Sequence, residues 1–178
     1  DGQLFVFTRR GPHQENIVSE DFYASQLQEG KWSKSENLGQ ALNTFGNEGA
    51  QCLSSDGKIL FFTACDREDG YGRCDIYVSF LGAQGWSPAQ NIGSSVNSKH
   101  WESQPSISPD GKELYFVSNR PGGKGAMDIW KSTLSESGSF GKPINLGSAI
   151  NTPFDEMSPF VHMDNQTLYF ASKGQVGM

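Results

Sequence analysis

A unit of about 54 residues repeats through this 178-residue chain, and no other feature constrains the fold as tightly. The turn pairs Asp1-Gly2, Asp56-Gly57, Asp110-Gly111 and Asp164-Asn165 each lead into an apolar run, LFVF, ILFF, LYF and LYF. Asp21, Asp75 and Asp128 then open DFY, DIY and DIW. Trp32, Trp86 and Phe140 follow, then Asn37, Asn91 and Asn145 within NLG, NIG and NLG. Asn43, Asn97 and Asn151 come next, and Glu48, Glu102 and Glu156 close the series. A fixed period of this order marks a solenoid, a propeller or an array, so function is a property of a repeat surface.

One unit reads as four short strands. In the third, 104–108 (QPSIS) is the first strand, and Pro109, Asp110, Gly111 and Lys112 supply the chemistry of a tight turn. Residues 113–118 (ELYFVS) form the second strand, and a glycine-rich loop follows. Residues 128–133 (DIWKST) alternate as a third strand, and 140–146 hold a fourth, whose Pro143 suits an edge. No window shows helical periodicity. Four antiparallel strands per repeat predict an all-β fold, a β-propeller of four-stranded blades.

The strings SSDGKILFFT, SPDGKELYFVSNRPGG, CDIYVS and MDIWKS resemble the WD40-like, TolB-like β-propeller repeat of bacterial envelope proteins. The resemblance covers nearly the whole chain. It is specific for the repeat and much less so for any one protein. Such repeats occur in Bacteroidetes proteins of the OmpA family and in type IX secretion components. The resemblance therefore implies a place in the periplasm or at the outer membrane. No OmpA-like segment is visible, so peptidoglycan binding is not carried over. The chain reads as a single partial propeller domain, 1–178. Residues 1–47 give an incomplete blade, 48–101 and 102–155 give whole blades, and 156–178 give the first two strands of another. About three and one-third blades are thus present. Propellers have about 4–8 blades, so the expectation is part of a larger, six-bladed propeller, completed by further blades or by another copy.

Composition narrows the partners. Aromatic residues make up 12% of the chain, which argues against disorder. The net charge is −6 with no Lys/Arg cluster, so the basic footprint needed for nucleic acid or an anionic membrane is missing. No apolar run approaches the length of a membrane-spanning helix.

All three cysteines lie in the second repeat. Cys65 and Cys74 bracket the loop DREDGYGR on adjacent strands. Two arrangements fit: a pair of half-buried thiols, or the disulfide taken here as the expectation, which cross-strand neighbours can form. A disulfide implies an oxidising compartment. Cys52 is left as a small hydrophobe.

Glu48, Glu102 and Glu156 each precede an innermost strand, one per blade. They fit a carboxylate ring at the channel mouth that binds a cation or a basic segment. The reading preferred here is structural, since a residue repeated in every blade serves the repeat: pairing with Arg10, Arg67 and Arg120 of the neighbouring loops. For Glu102 and Arg120 the expectation is a partly exposed contact contributing no more than about 1 kcal/mol. Asp21, Asp75 and Asp128 are expected to accept backbone N–H bonds from the loop before them. The acidic loop 66–75 does not match a calcium-binding pattern. Trp32, Trp86 and Phe140 are expected to pack between blades. His100, Trp101, Tyr71 and Arg120 lie in the face loops, which depart most from the repeat, and aromatic and Arg residues dominate interface hot spots. With the glutamates, they are the candidate binding residues.

The three histidines, His13, His100 and His162, sit in no catalytic motif. The reading is a non-catalytic interaction module of a bacterial envelope, with protein partners, no metal and no cofactor. The alternative is the propeller of an enzyme, either glycan-acting or the gating domain of a prolyl-oligopeptidase-like peptidase.

Overall fold

The structure, a computed structural model, describes residues 2–14 and 17–175, and side chains outside 12–17. Asp1 of the first turn pair and the side chain of His13 lie outside the described residues. Every regular element described is a strand. The first sheet unit holds β1 (Leu4–Gln14), β2 (Ile17–Gln28), β3 (Lys31–Trp32) and β4 (Glu36–Asn37). The second holds β5 (Asn47–Leu53), β6 (Ile59–Cys65), β7 (Cys74–Gly82), β8 (Gly85–Trp86) and β9 (Gln90–Asn91). The third holds β10 (Glu102–Ile107), β11 (Glu113–Ser118), β12 (Asp128–Thr133) and β13 (Ile144–Asn145). The last is the hairpin β14 (Glu156–Val161) and β15 (Leu168–Ser172). Within each unit the long strands pair antiparallel in chain order, β3 and β4 both pair antiparallel with β2, and β8 and β9 both pair antiparallel with β7. The first two units also touch through one parallel step, Glu20 to Asn47.

The sheets stack face to face, and strand alternation divides the core between their junctions. On β6, Leu60 and Phe62 point toward the first unit, where they meet Val6, Phe22 and Leu42. Phe61 between them points the other way, onto Ile107, Leu114 and Phe116 of the third unit. A strand buried on both faces reads as a continuous apolar run, which explains ILFF. Trp86 packs at the first junction and Phe140 at the second. Trp32 is exposed, with its ring against Phe5.

The hairpin turns follow from sequence. Asp56 accepts from Ser54 and from the Lys58 amide, and Asp110 from Ser108 and the Lys112 amide. Asn165 adopts φ 58° where Gly57 and Gly111 stand in the other units. Asn is among the few residues that tolerate this left-handed region.

Two expectations need correction. The fourth strand is not continuous over 140–146: only Ile144–Asn145 pairs regularly, and Phe140 bridges to Leu134 alone. The interruption recurs in every unit with a fourth strand and goes with a serine of the third strand: Ser132 donates to the Gly141 carbonyl at 2.5 Å. Ser79 takes the Ser87 carbonyl, and Ser25 the Ser33 carbonyl, in the same way. Arg10 is also not in a loop. β1 and β2 extend beyond their counterparts, and Arg10 lies opposite Glu20 in the ladder.

Each inner strand carries a bulge that the sequence did not announce. Ala50, Gln104 and Ser158 adopt φ of 50°, 54° and 53°, and the register with the second strand shifts at these points. A bulge turns one backbone N–H out of its own ladder. Here it turns toward the neighbouring unit: Gln104 donates to Thr63 Oγ1 at 3.0 Å, and Ser158 donates to Gln104 Oε1 at 2.7 Å.

Candidate functional site

The face opposite the Asp-Gly turns carries two sets of segments. One is the crossovers between units, around 39–46, 93–101 and 147–155. The other is the loops after each second strand, 66–73 and 119–127. Each crossover is wound about a buried asparagine. Asn43, Asn97 and Asn151 each accept from the amide and donate to the carbonyl of one third-strand residue: Phe22, Ile76 and Ile129, at 2.7 to 3.0 Å. The same side chains donate to Asn37, Asn91 and Asn145, which in turn cap the amides of Gly39, Gly93 and Gly147. The crossover is thereby fixed to the preceding sheet.

The repeated glutamates fix it to the following sheet. Glu48, Glu102 and Glu156 are fully buried, at 0% exposure. Each accepts from the amide and hydroxyl of Thr44, Ser98 or Thr152 in the crossover. Arg67 lies 3.0 Å from Glu48, and Arg120 lies 2.9 Å from Glu102, each within one unit. The guanidinium groups also donate to the crossover carbonyls of Leu42 and Val96. They lie over aromatic rings, Arg67 on Tyr77 and Arg120 on Phe116. These glutamates do not ring an open channel; the donors of the crossovers consume them. Arg120 is likewise a buried clamp, not a surface anchor. Removing one member of a buried pair costs about 3–5 kcal/mol, well above the exposed-pair expectation. Among the described residues, no group of His, Cys, Asp and Glu is placed to hold a metal ion.

The loops after the second strands lie against the crossovers, and two glycines make this possible. A Cβ on Gly72 would stand 2.2 Å from the His100 carbonyl oxygen, and one on Gly125 would stand 1.8 Å from that of Phe154. Asp75 and Asp128 hold the loops in place by accepting the amides of Tyr71 and Gly72, and of Lys124 and Gly125. Burial pushes the Asp75 carboxyl up. Its Oδ1 and Asn91 Nδ2 are buried without partners, whereas the corresponding pairs Asn37–Asp21 and Asn145–Asp128 are bonded. At the base of loop 66–73, Cys65 and Cys74 lie opposite each other in the ladder and are joined by a disulfide. Cys52 is a free thiol, pushed up by burial, and accepts the Ile107 amide.

On this rigid base stand exposed aromatic rings. Tyr71 is 51% exposed and Trp101 39%, and His100 beside Trp101 is half-buried. Two more were missed by the sequence reading: Phe45 at 62% and Phe154 at 58%. The signal was present in the crossover strings TFGN, SKHW and TPFD. Each has one aromatic at a position its neighbours do not share, so none is imposed by the repeat.

Comparison of the sequence with protein-family models and with curated proteins returns no match. Solved structures do resemble it. TolB from Acinetobacter baumannii is 19% identical with a TM-score of 0.56, over 94% of this chain and 35% of that one. A putative TolB from Agrobacterium tumefaciens is 17% identical with a TM-score of 0.52, over 93% of this chain and 53% of that one. A puromycin hydrolase is 14% identical with a TM-score of 0.53, over 95% of this chain and 27% of that one. The chain therefore spans roughly a quarter to a half of each neighbour's length. At these identities the likeness shows a TolB-like β-propeller fold and nothing further.

Proposed function

We propose that the chain is part of a β-propeller serving as a non-catalytic protein-docking module of a bacterial envelope, with the crossover face as its partner surface. One observation carries this reading. The repeated polar and charged residues of the face are buried in its own hydrogen bonds, while its non-repeating residues are exposed aromatics on a rigid base. Rigid scaffolds that present variable loops are where binding is found, and aromatics are the residues that anchor interfaces. The Cys65–Cys74 disulfide and the envelope-type repeat support a periplasmic setting. Within it, an OmpA-family or type IX secretion component is the finer assignment.

A photo-crosslinking residue at Trp101 tests the docking face, with one at Lys58 on the opposite face as control. A specific adduct from the first position alone is expected in envelope extracts. Equal yields from both positions, or no adduct from Trp101, would remove the proposal. A second reading, the gating propeller of a peptidase, draws on the puromycin hydrolase likeness. An α/β-hydrolase segment in the full-length gene product would favour it, and an OmpA-like segment would favour the first.

A further inference from the structure

Homologous clefts lie where one sheet unit meets the next, on the outer side of the core. The clefts are not alike. The one between the first and second units, about 520 Å³, is lined by Leu4, Val6 and Ala24 on the paired strands and by Gln26, Gln28 and Glu36, with Trp86 across it. At the junction of the third and fourth units the corresponding positions hold Glu113, Tyr115 and Lys131. Lys131 bonds Glu113 at 2.6 Å, and the Tyr115 hydroxyl donates to the same carboxylate at 2.8 Å. The cleft between the second and third units shares the apolar strand positions of the first and differs from both by having no charged side chain, with Gln90 where the first has Glu36. Ile59, Phe61 and Val78 stand at the positions of Glu113, Tyr115 and Lys131, and Phe80 at that of Gln26. Leu134 and Phe140 close the far side, leaving about 430 Å³. No charged residue lines it. Gln90, Ser95 and Ser139 edge it, and among the described residues their side-chain amide and hydroxyls make no hydrogen bond.

We propose that this cleft is a binding site for a small, uncharged, mostly apolar molecule bearing a neutral hydrogen-bonding group. The volume is that of a small-molecule site, apolar walls with a few polar groups being its usual make-up. A charged ligand would lose its hydration without finding a counter-charge there. Of the junctions compared, this one alone lacks charge, so the repeat does not require its character. The site is independent of the docking face.

Titration of the chain with the neutral fluorophore phenylnaphthylamine tests the proposal. Saturable enhancement at one site is expected, and its absence would overturn the assignment. The double variant Ile59→Glu with Val78→Lys imports the ion pair that the third unit carries natively. It should abolish binding and leave the strand spectrum intact; undiminished binding would refute the location. Phe140→Trp, the residue type at this position in the first two units, fills the same space and decides the matter should the double variant fail to fold. The anionic analogue anilinonaphthalene sulfonate should bind at least about tenfold more weakly, the consequence of an unpaired charge. Equal affinity would rule out a neutral ligand.

Discussion

Gln175 donates from Nε2 to the carbonyl of Ile150 at 3.0 Å, at the point where arginine serves the two preceding units. Arg67 bonds the carbonyl of Leu42 and Arg120 that of Val96, and each also neutralises a buried glutamate. A glutamine can do only the first of these things. Glu156 therefore takes its bonds from the Thr152 amide and the hydroxyls of Thr152 and Ser172. Among the described residues no cation pairs with it. Glu102 has the same hydroxyl donors and Arg120 besides.

The two glutamates should respond differently to neutralisation. Glu102→Gln leaves the Arg120 guanidinium buried without its partner and should cost about 3 kcal/mol. Glu156→Gln strands no charge and should cost about 1 kcal/mol, the scale of one poorly matched hydrogen bond. Urea denaturation of the two variants gives the comparison. Equal losses would show that Arg120 contributes nothing as a counter-ion.

Trp101 is exposed and its backbone is held independently of its ring, by the Asn119 side chain at 2.9 Å. Trp101→Ala should therefore move the melting temperature by no more than about 2–3 °C. Phe154→Ala should behave likewise. Both should weaken capture of the envelope partner found by crosslinking. A drop of about 10 °C with capture intact would make these rings part of the core.

Acid should weaken the hairpin turns. Asp164 is held well below the usual carboxylate range by the Gln166 amide and the Thr167 hydroxyl and amide. Asp110 is lowered in the same way by the Ser108 hydroxyl and the Lys112 amide. A folded-state pKa below the unfolded one gives stability that is present above about pH 4 and lost as pH falls through the folded value. Asp75, raised by burial, has the opposite sign: its contribution is present at acid pH and lost as pH rises. The melting-temperature gap between the natural chain and Asp164→Asn should be positive near about pH 7 and close toward zero below about pH 3. A gap independent of pH would deny Asp164 this role.

The strands and turns were legible because period-2 burial and Asp-Gly chemistry are local. β11 and β12 occupy the spans read from ELYFVS and DIWKST. The bulges at Ala50, Gln104 and Ser158 were not legible, since no glycine holds the left-handed position itself and the bonds at Gln104 and Ser158 run to another unit. The Glu102–Arg120 contact was expected and is present, but its burial and the crossover donors that share the carboxylate were not expected. Whether a repeated carboxylate faces a channel or a crossover amide depends on the crossover path, which the repeat alone does not specify. Trp101 was found as a break in the repeat, and the same criterion, applied to each crossover, would have found Phe45 and Phe154.

The docking face depends on loops seated against crossovers, and Gly72 is where that seating is tightest. An added methyl at Gly72 would lie 2.2 Å from the His100 carbonyl oxygen and 2.7 Å from that of Ser98. Both are backbone atoms, and the crossover they belong to is tied down through Asn97 and Glu102, so neither can give way cheaply. Gly72→Ala should therefore cost about 2 kcal/mol or more, in the range of overpacked sites, and should move Tyr71 relative to Trp101. Gly57→Ala is the control: it sits at φ 69° on the opposite face with open space around it. It should cost about 1 kcal/mol from backbone strain alone. Denaturation midpoints and the fluorescence of Trp101, with the remaining tryptophans replaced by Phe, read the two effects together. A Gly72→Ala chain as stable as the Gly57→Ala chain, with Trp101 unperturbed, would mean that the loop is free of the crossover and that the face is not one rigid surface.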